Sequence, residues 1–252
     1  MIPIILDTDI GTDVDDALAL TLAVDSPEID ILAVTIVGVD VRLRGRIARK
    51  LLRVLGRDEI PVAAGCDRRL NGKEFKPMPI GGARGFIEDK QDGLPLQAQH
   101  AVDLIIDLLQ AANTKITLVL IGPVTNAAMA LNRCPQIKEK IERFVVMGGR
   151  IYPKDILKKE GWLKWVPDFL KAGMEYNLNT DPAAAEVILN SGIPILLVPA
   201  EITFRTYLTE QERAQIRQST APQSAELNHM CDEFQAILSK MTARMPVDQR
   251  FA

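Results

Sequence analysis

Five aspartates fall within ten residues near the N-terminus: Asp7, Asp9, Asp13, Asp15 and Asp16, with Gly11 allowing a tight turn between them. Carboxylates this close repel one another unless protons or a cation offset their charge. A hard divalent cation, which takes oxygen ligands, is the economical partner. The bland alternative is that one aspartate caps a helix while the others face solvent. A cap uses only one carboxylate, however, and a solvated charge run does not ordinarily follow a strand as apolar as Ile4-Ile5-Leu6. An EF-hand loop does not fit, because Gly11 comes too early and no Glu stands at the closing position. The stretch reads as a metal site.

The elements that must position it follow from periodicity. The run from Ile4 is expected to be a buried strand, and Ala17 to Val24 a helix. Further strands are expected at Ile31 to Val37, Ile60 to Ala64, Ile116 to Ile121, Phe144 to Met147 and Pro194 to Val198. Leu43, Ile47, Leu51 and Val54 mark one face of a helix, whose other face carries Arg42, Arg44, Arg46, Arg49 and Lys50. Those basic residues read as a solvated face, with a nucleic-acid patch as the lesser alternative. Helices are also expected at Ala101 to Ala112, from Asn126 through Leu131, after Asp181-Pro182, and twice beyond Thr209, with Thr209 and Ser219 or Thr220 as caps. His100 begins a helix and reads as a cap or surface residue, and His229 reads as structural. Residues Cys66 to Leu96 form a long connection, and Arg150 to Gly173, with Trp162, Trp165 and Phe169, reads as a helical lid or as core.

Strands alternating with helices predict an α/β fold, a mostly parallel Rossmann-like open sheet with helices on both faces. Ligands bind such sheets outside the carboxyl ends of the strands. The unusual polar groups all follow strands: Asp7 to Asp16, Asp40, Gly122 to Asn126, Gly148-Gly149 and Glu175 to Asn177. Topology would gather them at one rim. With 252 residues, 47% apolar and 25% charged, the chain suits one domain over residues 1–252. A net charge of −3 without a basic block argues against a nucleic-acid partner, and apolar runs such as Ile193 to Ala200 are too short to cross a membrane. Cys66, Cys134 and Cys231 are scattered and read as reduced thiols, which with no N-terminal signal pattern implies a cytoplasmic protein.

The ordered motifs resemble the inosine–uridine-preferring nucleoside hydrolase family. They are Asp7-Thr8-Asp9-Ile10-Gly11 and Asp15-Asp16-Ala17, Val34-Thr35 leading to Asp40, Pro61-Val62-Ala63-Ala64-Gly65, Gly122-Pro123-Val124-Thr125-Asn126, Val145-Val146-Met147-Gly148-Gly149 and Glu175-Tyr176-Asn177. The resemblance implies calcium-dependent hydrolysis of ribonucleosides to ribose and free base, in purine or pyrimidine salvage, by a homodimer or homotetramer. It implies Asp9, Asp15 and Asp16 as calcium ligands with the Thr125 carbonyl, and Asp9 as the base acting on water. Glu175 and Asn177 would bind ribose hydroxyls, Met147 would line the ribose pocket, and Asp40 stands where the family usually has Asn near the sugar. Asp7 is read as support for the ligands, and the role of Asp13 stays open.

Three departures stand out. The family carries a C-terminal His-Asp pair supplying a metal ligand and a histidine that often assists the leaving base; no His-Asp dipeptide occurs here. Either Asp248 takes the place of that ligand without its His, or the pair belongs to a final region that this chain lacks. Phe169 stands where an Asn usually precedes the Glu by six residues, and Val39 replaces a Gly. Two other functions stay open from the residues: a degenerate homologue that binds ribose, nucleoside or metal without turnover, and a magnesium-dependent phosphohydrolase. The second wants Thr or Val where Gly11 stands.

Overall fold

The computed structural model describes residues 1–75, 95–151, 175–203, 205–206 and 208–242. The expected lid between Arg150 and Gly173, most of the Cys66 to Leu96 connection, and Asp248 therefore lie outside the described residues.

The first strand, β1 (Ile2–Thr8), is buried from Ile4 onward. Burial on both faces suits a central strand of a parallel sheet, where helices cover each side. Its side chains alternate accordingly. Ile5 packs with Val102, Ile105, Leu118, Phe144 and Ile188 on one face. Ile4 and Leu6 pack on the other face with Leu20, Ile47, Leu51 and Met230. The remaining strands are β2 (Ile29–Ile36), β3 (Val62–Ala64), β4 (Ile116–Leu120), β5 (Ile141–Met147) and β6 (Ile195–Val198). They form one sheet in the order β3-β2-β1-β4-β5-β6, parallel at every pairing. The expected open α/β sheet is present.

Helices α1 (Asp15–Asp25), α2 (Val41–Val54) and, at the C-terminal side, α9 (Pro222–Thr242) cover one face. Helices α3 (Ala101–Ala111), α4 (Thr125–Arg133) and α6 (Pro182–Leu189) cover the other. Three more among the described residues are short or peripheral: α5 (Tyr176–Thr180), α7 (Ala200–Thr203) and α8 (Glu210–Gln218). Thr209 closes a capping box with Glu212 at the start of α8. His100 caps α3 by accepting from the Val102 amide at 3.3 Å. Half of His229 stays exposed, within 3.5 Å of Glu233 on α9. All three cysteines are free thiols.

The arginine-bearing face of α2 differs from expectation. Of Arg42, Arg44, Arg46, Arg49 and Lys50 only Arg42 is exposed, and Arg44 is 2% exposed. The loops after β1 and β2 fold over the start of α2, so Arg44 points into the protein, while Arg49 gives its guanidinium to the Asp58 and Ile60 carbonyls of the connection after α2. No helix of the described residues is long and apolar enough to cross a membrane.

Strand order reverses direction between β1 and β4, because β1 pairs with both β2 and β4. Chain connections leave opposite faces there and open a crevice. The aspartate run follows β1, and Gly122 to Thr125 follow β4. Leu51, fully buried between α2 and the sheet, helps hold the helix that presents Arg44. Leu51→Ala should lower unfolding free energy by about 2–5 kcal/mol in urea melts.

Candidate active site at the sheet switch point

The rim is stitched together by backbone hydrogen bonds between successive strand ends. The Val37 amide donates to the Thr8 carbonyl at 3.1 Å, and the Ile121 amide to the Asp7 carbonyl at 2.9 Å. Gly38 donates to the Cys66 carbonyl at 2.9 Å. Asn177 extends the row sideways, its Nδ2 donating to the carbonyls of Ile121 at 2.8 Å and Met147 at 3.0 Å and lying 3.1 Å from the Met147 sulfur.

Asp15 and Asp16 occupy the first turn of α1, where the helix N-terminus favours negative charge. The residue before that turn is Val14, with no side-chain cap, so none of the aspartates serves as the cap of α1. Asp7, Asp9 and Asp16 are buried, whereas Asp13 and Asp15 keep solvent access. Thr8 accepts from the Ile10 amide at 3.0 Å and donates to Asp16 Oδ1 at 2.5 Å. Asp7 Oδ1 accepts from Thr35 Oγ1 at 2.5 Å and from Asn126 Nδ2 at 2.8 Å. The same Asn126 donates to the Ile36 carbonyl and accepts from the Cys66 amide, tying three strand ends together.

Crowding out of water raises the whole cluster. Burial is the first cause at Asp7, pushed up to about 7 against the opposing pull of Asn126 and Thr35. Burial lifts Asp9 to about 6; Arg44 opposes this, while Asp15 and Glu175 add to it. Asp13 rises to about 7 because surrounding protein displaces water, with the charges of Asp15 and Asp9 second. Asp15 shifts upward for the first reason, and Asp16 well upward by burial and then by Asp15 and Asp9. Burial also pushes the Cys66 thiol up to about 12, which suits an inert thiol.

Glu175 is close enough to Asp9 to bias its ionisation, and Tyr176 feels Asp9 in turn. Its two oxygens accept from the Asn177 amide at 2.5 Å and the Leu178 amide at 2.9 Å, so the carboxylate caps α5. Asp40 caps α2 from an exposed position in the left-handed region, with φ 57°, a conformation that Asn and Asp tolerate better than most residues. Val39 is not among the positive-φ residues, so the loss of a glycine there carries no strain. Asp9, Asp13, Asp15, Asp16, Glu175, Met147 and Asn177 thus gather at one rim with Thr125, and Asp40 stands at its edge.

Three contributors escape sequence reasoning. Arg44 donates to the Asp9 and Ile10 carbonyls from beneath the aspartate loop. Asn126 belongs to a motif but shows no role in the linear chain. Asp181, read as a helix start, also accepts from Thr125 Oγ1 at 2.8 Å and the Leu70 amide at 2.7 Å, and so joins α4, α6 and the chain after β3.

Among the described residues, no three His, Cys, Asp or Glu side chains are gathered as a metal-binding group. The donor chemistry nonetheless fits a hard cation. It consists of carboxylate oxygens that repel one another, and Asp7 Oδ2 is buried without a hydrogen-bond partner beside them.

Comparison with known proteins follows the same lines. A family model described as inosine-uridine preferring nucleoside hydrolase matches residues 4–248. An uncharacterised protein of Schizosaccharomyces pombe is 36% identical over 219 residues, covering 84% of this chain and 66% of that protein. The pyrimidine-specific ribonucleoside hydrolase RihA of Enterobacter sp. (strain 638) is 33% identical over 244 residues, covering 92% and 71%. Among solved structures, a purine-preferring ribonucleoside hydrolase from Gardnerella vaginalis superposes with a TM-score of 0.76 at 28% identity, over 96% of this chain and 75% of that one. The chain thus spans roughly two thirds to three quarters of the length of these proteins.

Two measurements test the site. Carboxyls as buried as that of Asp7, raised from 3.8 to about 7, bind protons more tightly in the folded state than in the unfolded state. Their contribution to stability is complete below about pH 4 and is lost as pH rises through 7. In chelator, the melting temperature should therefore fall between about pH 5 and about pH 7.5. Added calcium should raise it more at the higher pH, each kcal/mol moving it about 2–4 °C. Gly122→Ala would set a Cβ 2.8 Å from both the amide nitrogen and Oδ1 of Asp9. It should cost about 1–3 kcal/mol in denaturant melts and suppress the calcium-induced gain, whereas an unchanged gain would count against this packing.

Proposed function

The chain belongs to the inosine-uridine preferring nucleoside hydrolase family, and from that premise we propose that it hydrolyses the N-glycosidic bond of ribonucleosides to give ribose and free base. The observation that carries the reading is the buried Asp9 carboxyl, lifted to about 6 at the sheet switch point with Glu175 beside it. Burial lifts such a carboxyl toward neutral pH, where a base works well, and a bound cation would draw it down again and keep it ionised. Family membership sets aside the phosphohydrolase alternative.

In this reading Asp9 takes the proton of a water whose oxygen bonds to C1′ of the ribose. The C1′–N bond breaks with its electron pair passing to the base, through an oxocarbenium-like state. Asn177 and Glu175 orient the ribose hydroxyls, Met147 lines the sugar's apolar side, and Asp40 closes its edge. The capping bonds of Glu175 hold its carboxylate in one orientation for that contact. The leaving base takes its proton from solvent water in this reading, since His100 caps α3 and His229 lies on α9.

Asp9, Asp15, Asp16 and the Thr125 carbonyl would hold a divalent cation, which we take as calcium, with Asp248 as a further candidate ligand. When bound, it would offset the clustered charge and supply Lewis acidity toward water and hydroxyl oxygens. A homodimeric or homotetrameric cytoplasmic enzyme of nucleoside salvage belongs to the same proposal. The named relatives include both pyrimidine-specific and purine-preferring hydrolases, so both base classes are to be assayed.

Inosine, uridine and a nitrophenyl riboside should release ribose in calcium and lose that activity in chelator. Asp9→Asn should lower kcat by at least about 10²-fold while the protein melts at or above the parent temperature. Absence of sugar release from all three substrates at high protein concentration would sink the enzymatic reading. Calorimetric binding of a nucleoside without turnover would instead identify a binding protein.

A further inference from the structure

Among the described residues Arg44 is the largest fully buried side chain outside the hydrophobic set, and no carboxylate of those residues hydrogen-bonds to it. Its Nε donates to the Val39 carbonyl at 2.7 Å. Nη1 donates to the Asp9 carbonyl, and to the Ile10 carbonyl at 3.0 Å. Nη2 donates to Thr12 Oγ1 at 2.9 Å. One planar fork therefore grips the loop after β1 at three residues and the turn after β2 at one. Guanidinium geometry allows this where a lysine ammonium, a single point of charge, cannot span the same acceptors.

The grip falls on the backbone of Asp9 and leaves its carboxylate to other partners. On the opposite side Gly122 closes within 2.8 Å of the Asp9 amide nitrogen, measured to the Cβ it lacks, and Gly38 lies behind the Asp9 Cβ. Asp9 is thus pinned between α2 and the β4 end, although it sits on a loop. An unpaired buried guanidinium is costly unless it meets acceptors and nearby negative charge. Carbonyl oxygens supply the first, and the surrounding aspartates supply the second.

The geometry points to Arg44 as a positioning residue that holds the 9–12 loop so that Asp9, Asp15 and Asp16 present their oxygens together to a divalent cation. This rests on the nucleoside-hydrolase reading for its catalytic consequence, but the clamp itself is defined by loop order and cation affinity. Groups that orient ligands in this indirect way typically govern about 10–100-fold in metal affinity.

The test compares the parent chain with Arg44→Lys and Arg44→Ala by calcium titration calorimetry, hydrogen exchange and steady-state kinetics. Arg44→Lys keeps the charge and loses the fork. It should bind calcium about 10–100-fold more weakly and exchange the amides of residues 10–14 faster, while amides of α8 stay unchanged. The kinetic loss should fall on kcat at saturating calcium and leave KM for nucleoside near the parent value. Guanidinium ion at low, non-denaturing concentration should restore part of the calcium affinity of Arg44→Ala; where that variant does not fold, Arg44→Lys decides alone. Parent-like calcium affinity and parent-like exchange in Arg44→Lys overturn the clamp, as does a parent chain that binds no calcium. Weakened binding and faster exchange in a protein that hydrolyses no nucleoside uphold the clamp and remove the enzymatic reading; undiminished hydrolysis with unchanged affinity does the reverse.

Discussion

Burial of clustered carboxylates, sharpened by repulsion among them, governs this molecule. Five aspartates crowd the end of the central strand, three of them buried, and at Asp7, Asp9, Asp13 and Asp16 neighbouring carboxylates add to the cost of burial. Much of the surrounding architecture opposes that cost in small portions. Thr8 and Thr35 donate hydroxyl protons, Asn126 donates its amide, and Arg44 brings a full positive charge to the backbone beneath. The first turn of α1 adds the partial positive charge of its free amides. What remains unbalanced is the affinity of the site for protons or for a cation, and stability is spent there in the way functional sites commonly require.

Topology turns this local conflict into a recess with a purpose. The order β3-β2-β1-β4-β5-β6 places the aspartate loop and the Gly122 to Thr125 turn on either side of the single reversal point. Close approach follows from residue size. Gly122 lets β4's end reach Asp9, and Gly65 lets the β3 end sit against Asn126 and the Ile36 carbonyl, where a Cβ would overlap both. Hydrogen bonds then run from strand end to strand end, so that the rim behaves as one piece and the polar side chains share a fixed frame.

Several side chains serve the fold and the proposed chemistry at once. Glu175 caps α5 while its charge reaches Asp9, and Asn177 ties the ends of β4 and β5 while standing at the sugar position. Asp181 caps α6 and secures the Thr125 hydroxyl. Sharing of this kind fixes orientation without additional residues. It also couples any repositioning of these side chains to the loss of a helix cap or a strand tie.

By itself the sequence determined what short-range physics controls. Apolar runs of strand length, alternating with amphipathic helices, specified an open α/β sheet, and the strand ends were found within a few residues, as at Ile29–Ile36 and Ile116–Leu120. Thr209 was legible as a cap because its partner Glu212 lies three residues away. The aspartate run was legible because crowded carboxylates demand compensation wherever they fold. Tertiary structure alone decided how that demand is met. Asn126 reaches Asp7 across 119 residues of sequence, Leu70 meets Asp181 across 111, and Arg44 meets the Asp9 carbonyl across 35. In α2 the charge pattern placed Arg44 on a face read as solvated, and helical periodicity reports only which face a residue shares. Whether water or two folded loops cover that face depends on how β1 and β2 end beside it, and no spacing within the helix encodes that.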